Sequence, residues 1–486
     1  MPFASPAFAY DRAALVGGIV HLGLGGFHRA HMARYTHDVL CIEPHTTAWG
    51  IVGAGLRASD QTLLDALAAQ NFLYTLIERD ADGETVVTPG SIIAALGPNQ
   101  GPGALLTALE SARIVSLTVT ENGYCLNAAS KRLDLEHPDI AADLAHPGAP
   151  GSPIGFIAEA LSRRRSAKAR ALTVMSCDNI QHNGDVLRQA VLDFASARDR
   201  GLADWIGETI DFPNTMVDRI TPVTTPAASA ALQEKYGVED AAPVFCERFR
   251  QWIIEDRFGD GRPAWEKAGA QFVDDVTPYE YMKLRLLNAS HLAIAGLGRL
   301  AGYAFVDQTM RDHRFRAYMA ALMDRETGPT LQPVPGIELA QYKATLVARF
   351  ANPNIKDTLD RINADAPVNY LLDPLRDRLA HDEPIELLGL ALAAWIRRLR
   401  GSDDLGGRIE IRHPLALELE RRAREGGGDP RAVLGLTSLF GALGGDPRLA
   451  AVVSKWLSML CSEGAIRTLE AALAASGTEP GNQLGG

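Results

Sequence analysis

The sequence predicts an α/β protein in two parts, a parallel-sheet domain over residues 1–278 and a mainly α-helical domain over residues 279–486. Three observations carry this. From residue 16 to about 277, short β-branched runs alternate with longer Ala/Leu/Arg stretches of helical period, which is the rhythm of strand–helix–strand units. Beyond that point the strand signals fade, and segments such as YMKLRLLNASHLAIAGLGRLAG, LLGLALAAWIRRLRG and AVVSKWLSMLCSEGAIRTLEAALAA carry apolar residues at helical spacing. With 486 residues, 47% of them hydrophobic, the chain is too long for one ordinary core and has apolar material for two.

In chain order, the candidate strands are 18–22, 49–52, 113–118 and 171–176. The last two are continuous apolar runs that end in polar residues, TVTENG and VMSCDN, as expected of buried parallel strands whose carboxyl ends face a crevice. Neither a repeat of solenoid period nor an internal low-complexity block is present, and the terminal SGTEPGNQLGG is expected to fray.

Composition excludes several classes. The 48 Lys and Arg against 59 Asp and Glu give a formal charge of −11, a poor match to nucleic acid or to an anionic membrane. No run approaches the ~18 apolar residues of a membrane span, and MPFASPAFAYDRAALVGG lacks a secretory pattern, so a cytoplasmic protein is expected. The five cysteines are scattered without a C-x-x-C pair, which supports neither a disulfide framework nor a cysteine-ligated zinc.

Residues 18–31 read GIVHLGLGGFHRAH, an apolar strand ending in Gly23, Gly25, Gly26 and Phe27 and running into a helix expected from about Arg29. Such a loop brings backbone amides up to a pyrophosphate; a plain tight turn would use the same glycines, and the usual third glycine is replaced by His28. After the second strand the nearest acid is Asp60. It can reach adenosine ribose hydroxyls, favouring NAD over NADP, or cap the helix QTLLDALAAQ. His28 and His31 are spaced as a metal pair on a helix, but no third ligand follows, so packing is the expected role.

The stretch YEYMKLRLLNASH places Lys283, Asn288 and His291 along one helix. At about 100° per residue Asn288 falls about 140° and His291 about 80° from Lys283, within one broad face shared with Leu284 and Leu287. Burial there would lower the lysine pKa from ~10.4 towards the ~7 to 8 of a general base. Alcohol oxidation by hydride transfer needs such a base and donors for the developing alkoxide, which Asn288 and Asn179, the latter just beyond the strand in SCDN, can supply without a metal. An exposed lysine and a satisfied core histidine are the bland alternative. No G-K-[ST] loop, G-x-S-x-G elbow or H-E-x-x-H is present.

These residues carry a family likeness. GLGGFHRAH (23–31), SLTVTENGYC (116–125), TVMSCDNIQHNG (173–184), FPNTMVDRITP (212–222), ERFRQWIIED (247–256), MKLRLLNASH (282–291) and RFANPNIKDTLDRI (349–362) resemble, in order, the long-chain, zinc-independent polyol dehydrogenases of the mannitol dehydrogenase family. The resemblance implies NAD(P)-dependent interconversion of a sugar alcohol or aldonate with its keto form. It also implies a dinucleotide-binding Rossmann-type domain, a helical substrate-binding domain, and the substrate between them. Lys283 then looks like the catalytic base, with Asn179 and Asn288 as the oxyanion pair and Glu280 as the proton-relay acid. His291, Asp218 and Arg361 look like substrate ligands, and Asp60 matches the acidic position that favours NAD. Asp218 could instead form an ion pair with Arg219.

Two departures stand out. Asn122 replaces a glycine in TENGY, and no lysine follows Arg361 near Asn369, which removes a cation beside the far end of the substrate. The expectation is an NAD-dependent, metal-free enzyme, a monomer by family resemblance, that oxidises an acyclic polyol to a ketose: D-mannitol to D-fructose first, D-arabinitol or D-sorbitol next. A hexuronate reductase acting on fructuronate or tagaturonate ranks second, because FPNTMVDRITP and VPGIELAQYKATLV look closer to the mannitol type. A non-catalytic NAD-binding regulator would not need the lysine.

Overall fold

The structure, a computed structural model, describes residues 7–127 and 130–477. Of the terminal segment expected to fray, residues 478–486 lie outside the described residues. The chain divides into two compact units, Met1–Thr277 and Pro278–Gly486.

The strands of the first unit are β1 (Ile19–Leu22), β2 (Ile51–Ala54), β3 (Leu76–Asp80), β4 (Gly83–Val87), β5 (Ile92–Leu96), β6 (Ile114–Leu117), β7 (Thr173–Ser176), β8 (Thr215–Asp218), β9 (Val244–Glu247), β10 (Gln251–Glu255) and β11 (Gln271–Val273). Five of them form a parallel sheet in the order β5-β2-β1-β6-β7, with Ile19 opposite both Ile51 and Ile114. This is a Rossmann arrangement. The chain builds outward from β1 on one side, then returns to build outward on the other, and the switch between β1 and β6 opens a crevice at their carboxyl ends.

Helices cover both faces, which is why β1, β6 and β7 are buried at every position and read as mainly apolar runs. Alternate residues serve the two faces. Val20, Val115 and Val174 pack with Leu106, Ile157 and Phe194, while Ile19, Ile114 and Met175 pack with Tyr35, Trp252 and Trp265. Each such aliphatic side chain contributes about 1.5–3 kcal/mol, and Leu106→Ala would cost about 2–5 kcal/mol through the cavity it leaves. The helix Pro153–Ser166 shows how sequence fixes an element. Ser152 caps it by accepting from the Gly155 amide at 3.0 Å, proline occupies its first turn, and Arg163, Arg164 and Arg165 sit in its last turn against the negative end of the dipole.

Two expectations need correction. The second strand pairs over Ile51–Ala54 and not 49–52, because Trp49 lies under the Arg113 guanidinium, 4.3 Å from ring centre, and Gly50 turns to donate to the Val16 carbonyl. The first unit also holds two further three-stranded sheets, β11-β10-β8 and β4-β3-β9, each with an antiparallel pair. The β3–β4 hairpin closes through Ala81 and Asp82, and the strand–helix rhythm passed over it.

The described residues of the second unit form helices, and pairing there is confined to isolated bridges. The helix Ala289–Leu300 is buried around nearly its whole circumference, as an apolar helix in a bundle interior must be. It approaches the helix Glu386–Arg398 at Gly296, where an added Cβ would stand 3.6 Å from that of Ala394. Among the described residues no helix is long and apolar enough to cross a membrane.

Candidate active site

The glycine loop leaves the carboxyl end of β1 at the switch point. Gly23 adopts φ +94°, and a Cβ on it would lie 2.1 Å from the Thr118 carbonyl oxygen, so both conformation and space demand glycine. The helix begins at Gly26, three residues before the expected Arg29, because Gly25 already takes the extended N-cap conformation. A Cβ on Gly25 would meet nothing nearer than the Gly23 carbonyl at 3.9 Å, so packing does not require glycine there. The open space lies over the first-turn amides of Gly26, Phe27 and His28, which have no intrahelical acceptors. That cradle, a bare backbone at the positive end of a helix, fits the pyrophosphate of a dinucleotide.

Arg29, which sequence reasoning missed, fastens this loop. Its Nε donates to the Gly25 carbonyl at 3.2 Å, its Nη1 to the Ala242 carbonyl, and Tyr74 Oη donates to the Arg29 carbonyl at 2.6 Å. The histidines pack, as expected. His28 stacks on His21 at 3.5 Å, and His21 is held by Ser116 Oγ at 2.8 Å and Thr118 Oγ1 at 2.9 Å. His31 bonds the Gln251 carbonyl at 3.0 Å and sits at a break between two helices, so it and His28 do not share one continuous helix. Burial pushes His21 and His31 down to about 3 and His28 well below its usual value, which leaves all three neutral. Among the described residues the three potential metal ligands that meet are Cys125, His137 and Asp139, none of them an expected site residue.

Asp60 lies beyond β2. The capping role offered for it holds in a different position: Asp60 is not the N-cap of the helix Gln61–Ala69, because its own backbone is helical, φ −75° and ψ −21°, but it caps from the third position of the 3₁₀ turn Ala58–Asp60 that leads into that helix. Its Oδ2 accepts from the amides of Leu56 at 3.0 Å and Arg57 at 2.9 Å, which keeps the carboxylate at the carboxyl end of β2, where this fold places its ribose-binding acid.

Asn179 is exposed in the bend after β7. Its neighbour Asp178, also missed from sequence, is buried and accepts from the Val119 amide (3.1 Å), the Thr120 amide (2.9 Å) and Tyr124 Oη (2.9 Å). It ties the TENG loop beyond β6 to the end of β7; burial raises its pKa and those three bonds oppose the rise. Asp218 is the last residue of β8 and is buried. The guanidinium of Arg219, offered above as its ion-pair partner, reaches Glu78 Oε1 at 2.6 Å, the Glu247 carbonyl at 2.9 Å and the Ala30 carbonyl at 2.5 Å.

In the second unit, Lys283–Asn288 forms a π-helical turn between the α-helices Thr277–Met282 and Ala289–Leu300. The uniform 100° step assumed from sequence therefore fails here. A π-helix bonds residue i to i+5, so Lys283 and Asn288 lie one turn apart on the same side instead of about 140° around. Lys283 and Glu280 are buried, and Asn288 Oδ1, an acceptor, is a buried atom without a hydrogen-bond partner among the described residues. Arg285 anchors the turn, donating to the Thr330 carbonyl at 2.7 Å and pairing with Asp377 at 2.5 Å.

His291 and Arg361 meet through a residue that sequence reasoning passed over. Asp357 accepts Arg361 Nε at 2.7 Å and Nη2 at 2.6 Å, and its Oδ2 lies 3.7 Å from His291 Nε2. The His291 ring stacks on Phe350, centroids 4.4 Å apart. The expected residues thus form two groups. Gly23, Gly25, Gly26, Phe27, Asp60, Asn179 and Asp218 stand at carboxyl ends of strands in the first unit. Glu280, Lys283, Asn288 and His291 follow one helix of the second unit, with Arg361 joined to His291 by Asp357.

Residues 17–267 match the mannitol dehydrogenase Rossmann domain and residues 275–461 the mannitol dehydrogenase C-terminal domain. The D-mannonate oxidoreductase of Escherichia coli K12 is 42% identical over 475 residues, covering 96% of this chain and 97% of that protein. The mannitol 2-dehydrogenase of Aspergillus clavatus is 42% identical over 472 residues, covering 95% and 94%. The solved ternary complex of Pseudomonas fluorescens mannitol 2-dehydrogenase with NAD and D-mannitol is 42% identical, with a TM-score of 0.88 over 96% of each chain.

Proposed function

The chain belongs to the mannitol dehydrogenase family, and from that premise we propose that it is an NAD-dependent dehydrogenase that oxidises an acyclic polyol, D-mannitol first, to a ketose without a metal. One observation carries the chemical part. The π turn puts buried Lys283 and Asn288 one turn apart on the same side of the helix, and Asn288 Oδ1, an acceptor, has no partner among the described residues.

NAD, held by the glycine loop with Asp60 on its ribose, supplies the hydride acceptor when bound. Lys283 Nζ, in its neutral form, takes the proton of the polyol hydroxyl. The Asn288 amide donates to the oxygen as its charge grows, and Asn179 of the first unit is assigned the second donor. Glu280, one turn before Lys283, carries the proton onward, and Asp218, His291 and Arg361 hold the remaining hydroxyls.

The neutral polyol is favoured over a hexuronate or aldonate by the state of Arg361. Asp357 already takes its Nε and Nη2 and Asp365 stands 3.5 Å from its Nη1, so two carboxylates offset its charge before substrate arrives, and Asn369 adds no second cation. The E. coli relative named for D-mannonate keeps the second reading open to test. The experiment is NAD reduction with mannitol, arabinitol, sorbitol and mannonate, with and without EDTA, on the parent and on Lys283→Ala. Turnover of a polyol that survives EDTA and falls about 10²–10⁴-fold in Lys283→Ala is expected. Activity on mannonate alone would move the enzyme to the acid substrate, and loss with EDTA would remove the metal-free lysine mechanism.

A further inference from the structure

Resting on the reading of Arg361 and His291 as substrate ligands, we propose that Asp357 is a positioning residue that sets both of them. Asp357 is 3% exposed and its backbone is clamped. Its carbonyl accepts the Val306 amide at 3.1 Å, Phe305 and Thr358 form a bridge, and Thr358 Oγ1 caps the helix Leu359–Asp365 by accepting from the Arg361 amide at 3.2 Å. The carboxylate therefore projects from a fixed segment.

From there it acts in two directions. Its two oxygens take Nε and Nη2 of Arg361 in a fork, which fixes the plane of the guanidinium, while Nη1 turns towards Asp365 Oδ2 at 3.5 Å, an exposed partner that a substrate hydroxyl can replace. The oxygen on Nη2 also stands 3.7 Å from His291 Nε2, within ion-pair reach. That separation is too long for a hydrogen bond, so the carboxylate acts on the ring through its charge, while Phe350 stacks on the ring and fixes its plane. One buried group thereby places its charge beside a histidine on one helix and fixes the plane of a guanidinium on another.

The test uses the full-length enzyme at saturating NAD. Asp357→Asn keeps the volume and loses the charge and one acceptor. The expected result is a KM for the polyol raised about tenfold or more with kcat within about threefold, and an unchanged Kd for NAD by fluorescence titration. In an Arg361→Ala, His291→Ala background the same change should alter kcat/KM by less than about threefold, because its routes of action are gone. A KM within about threefold of the parent, or an equal loss in both backgrounds, would overturn the proposal. Should Asp357→Asn not fold, Asp357→Glu carries the test: a raised KM with retained kcat is expected, and a lost kcat at unchanged KM would be contrary. Failure of the underlying reading shows separately, as a parent that ignores polyols or a Lys283→Ala that keeps its rate. In either case the Asp357 comparison is run on whichever substrate the parent turns over, with the same shift expected.

Discussion

The Thr120 amide donates to Asp178 Oδ1 at 2.9 Å while Thr120 itself is held at φ 63° and ψ 168°, a region that only glycine enters cheaply. The strain of about 1–3 kcal/mol is offset by Asp178, which also takes the Val119 amide and Tyr124 Oη, bonds to a charged acceptor being worth about 1.5–3 kcal/mol each. Asp178→Asn should therefore lower the unfolding free energy in urea by about 2–4 kcal/mol. Thr120→Gly should leave it within about 1 kcal/mol or raise it. A larger loss for Thr120→Gly than for Asp178→Asn would show that the threonine side chain, and not the carboxylate, holds the loop.

Much of this loop could be read in advance, and the parts that could not share a cause. The runs that became β1, β6 and β7 were legible because helices bury both faces, so every position is interior and the few polar residues, such as His21 and Ser116, pair with one another. Lys283 and Asn288 were legible as residues, yet their placement on one side was not, since a π turn is a product of packing and sequence spacing assumes a uniform helix. Asp178 was overshadowed by Asn179 beside it, and Asp357 has meaning only through Arg361 and a histidine far away in the chain. Asp60 shows the converse. Its residue type suits a helix cap, but its backbone conformation sends the carboxylate back to the loop after β2.

If Asp60 binds the adenosine ribose as proposed, its placement sets the cofactor preference. A carboxylate at the end of β2 accepts from ribose hydroxyls and repels a 2′-phosphate. Asp60→Ala should raise kcat/KM with NADP about tenfold or more while lowering that with NAD, measured with the same polyol. An unchanged NAD to NADP ratio would reduce Asp60 to its bonds with Leu56 and Arg57.

In the helical unit, Glu326 gives stability a pH dependence of defined sign. It is buried, accepts from the Leu387 amide at 2.8 Å and the Leu388 amide at 2.7 Å, and burial pushes it up to about 7 despite those bonds. Between about pH 4.5 and 7 the folded chain then holds a proton that the unfolded chain has released, so stability falls as pH rises through that window and is level above it. The drop should be about 3 kcal/mol from this residue. Glu326→Gln should flatten that part of the urea-unfolding profile. A profile of the same slope in both proteins would assign the dependence to other groups.

Two glycines of the loop after β1 separate packing from ligand binding. Gly23 combines φ +94° with a Cβ position 2.1 Å from the Thr118 carbonyl oxygen, so Gly23→Ala must displace backbone and should destabilise the first unit by about 3 kcal/mol or more. Gly25, at φ −91° and ψ −173°, has a conformation that alanine adopts freely and a Cβ position 3.9 Å from the nearest atom. Gly25→Ala should therefore fold with a melting temperature within about 2 °C of the parent, since no contact or torsion is altered. Its methyl group nevertheless enters the volume over the first-turn amides, and NAD affinity by fluorescence titration should fall about tenfold or more. Unchanged NAD affinity in a well-folded Gly25→Ala would place the pyrophosphate away from this helix. A stability loss equal to that of Gly23→Ala would mean that glycine is needed at both positions for packing alone.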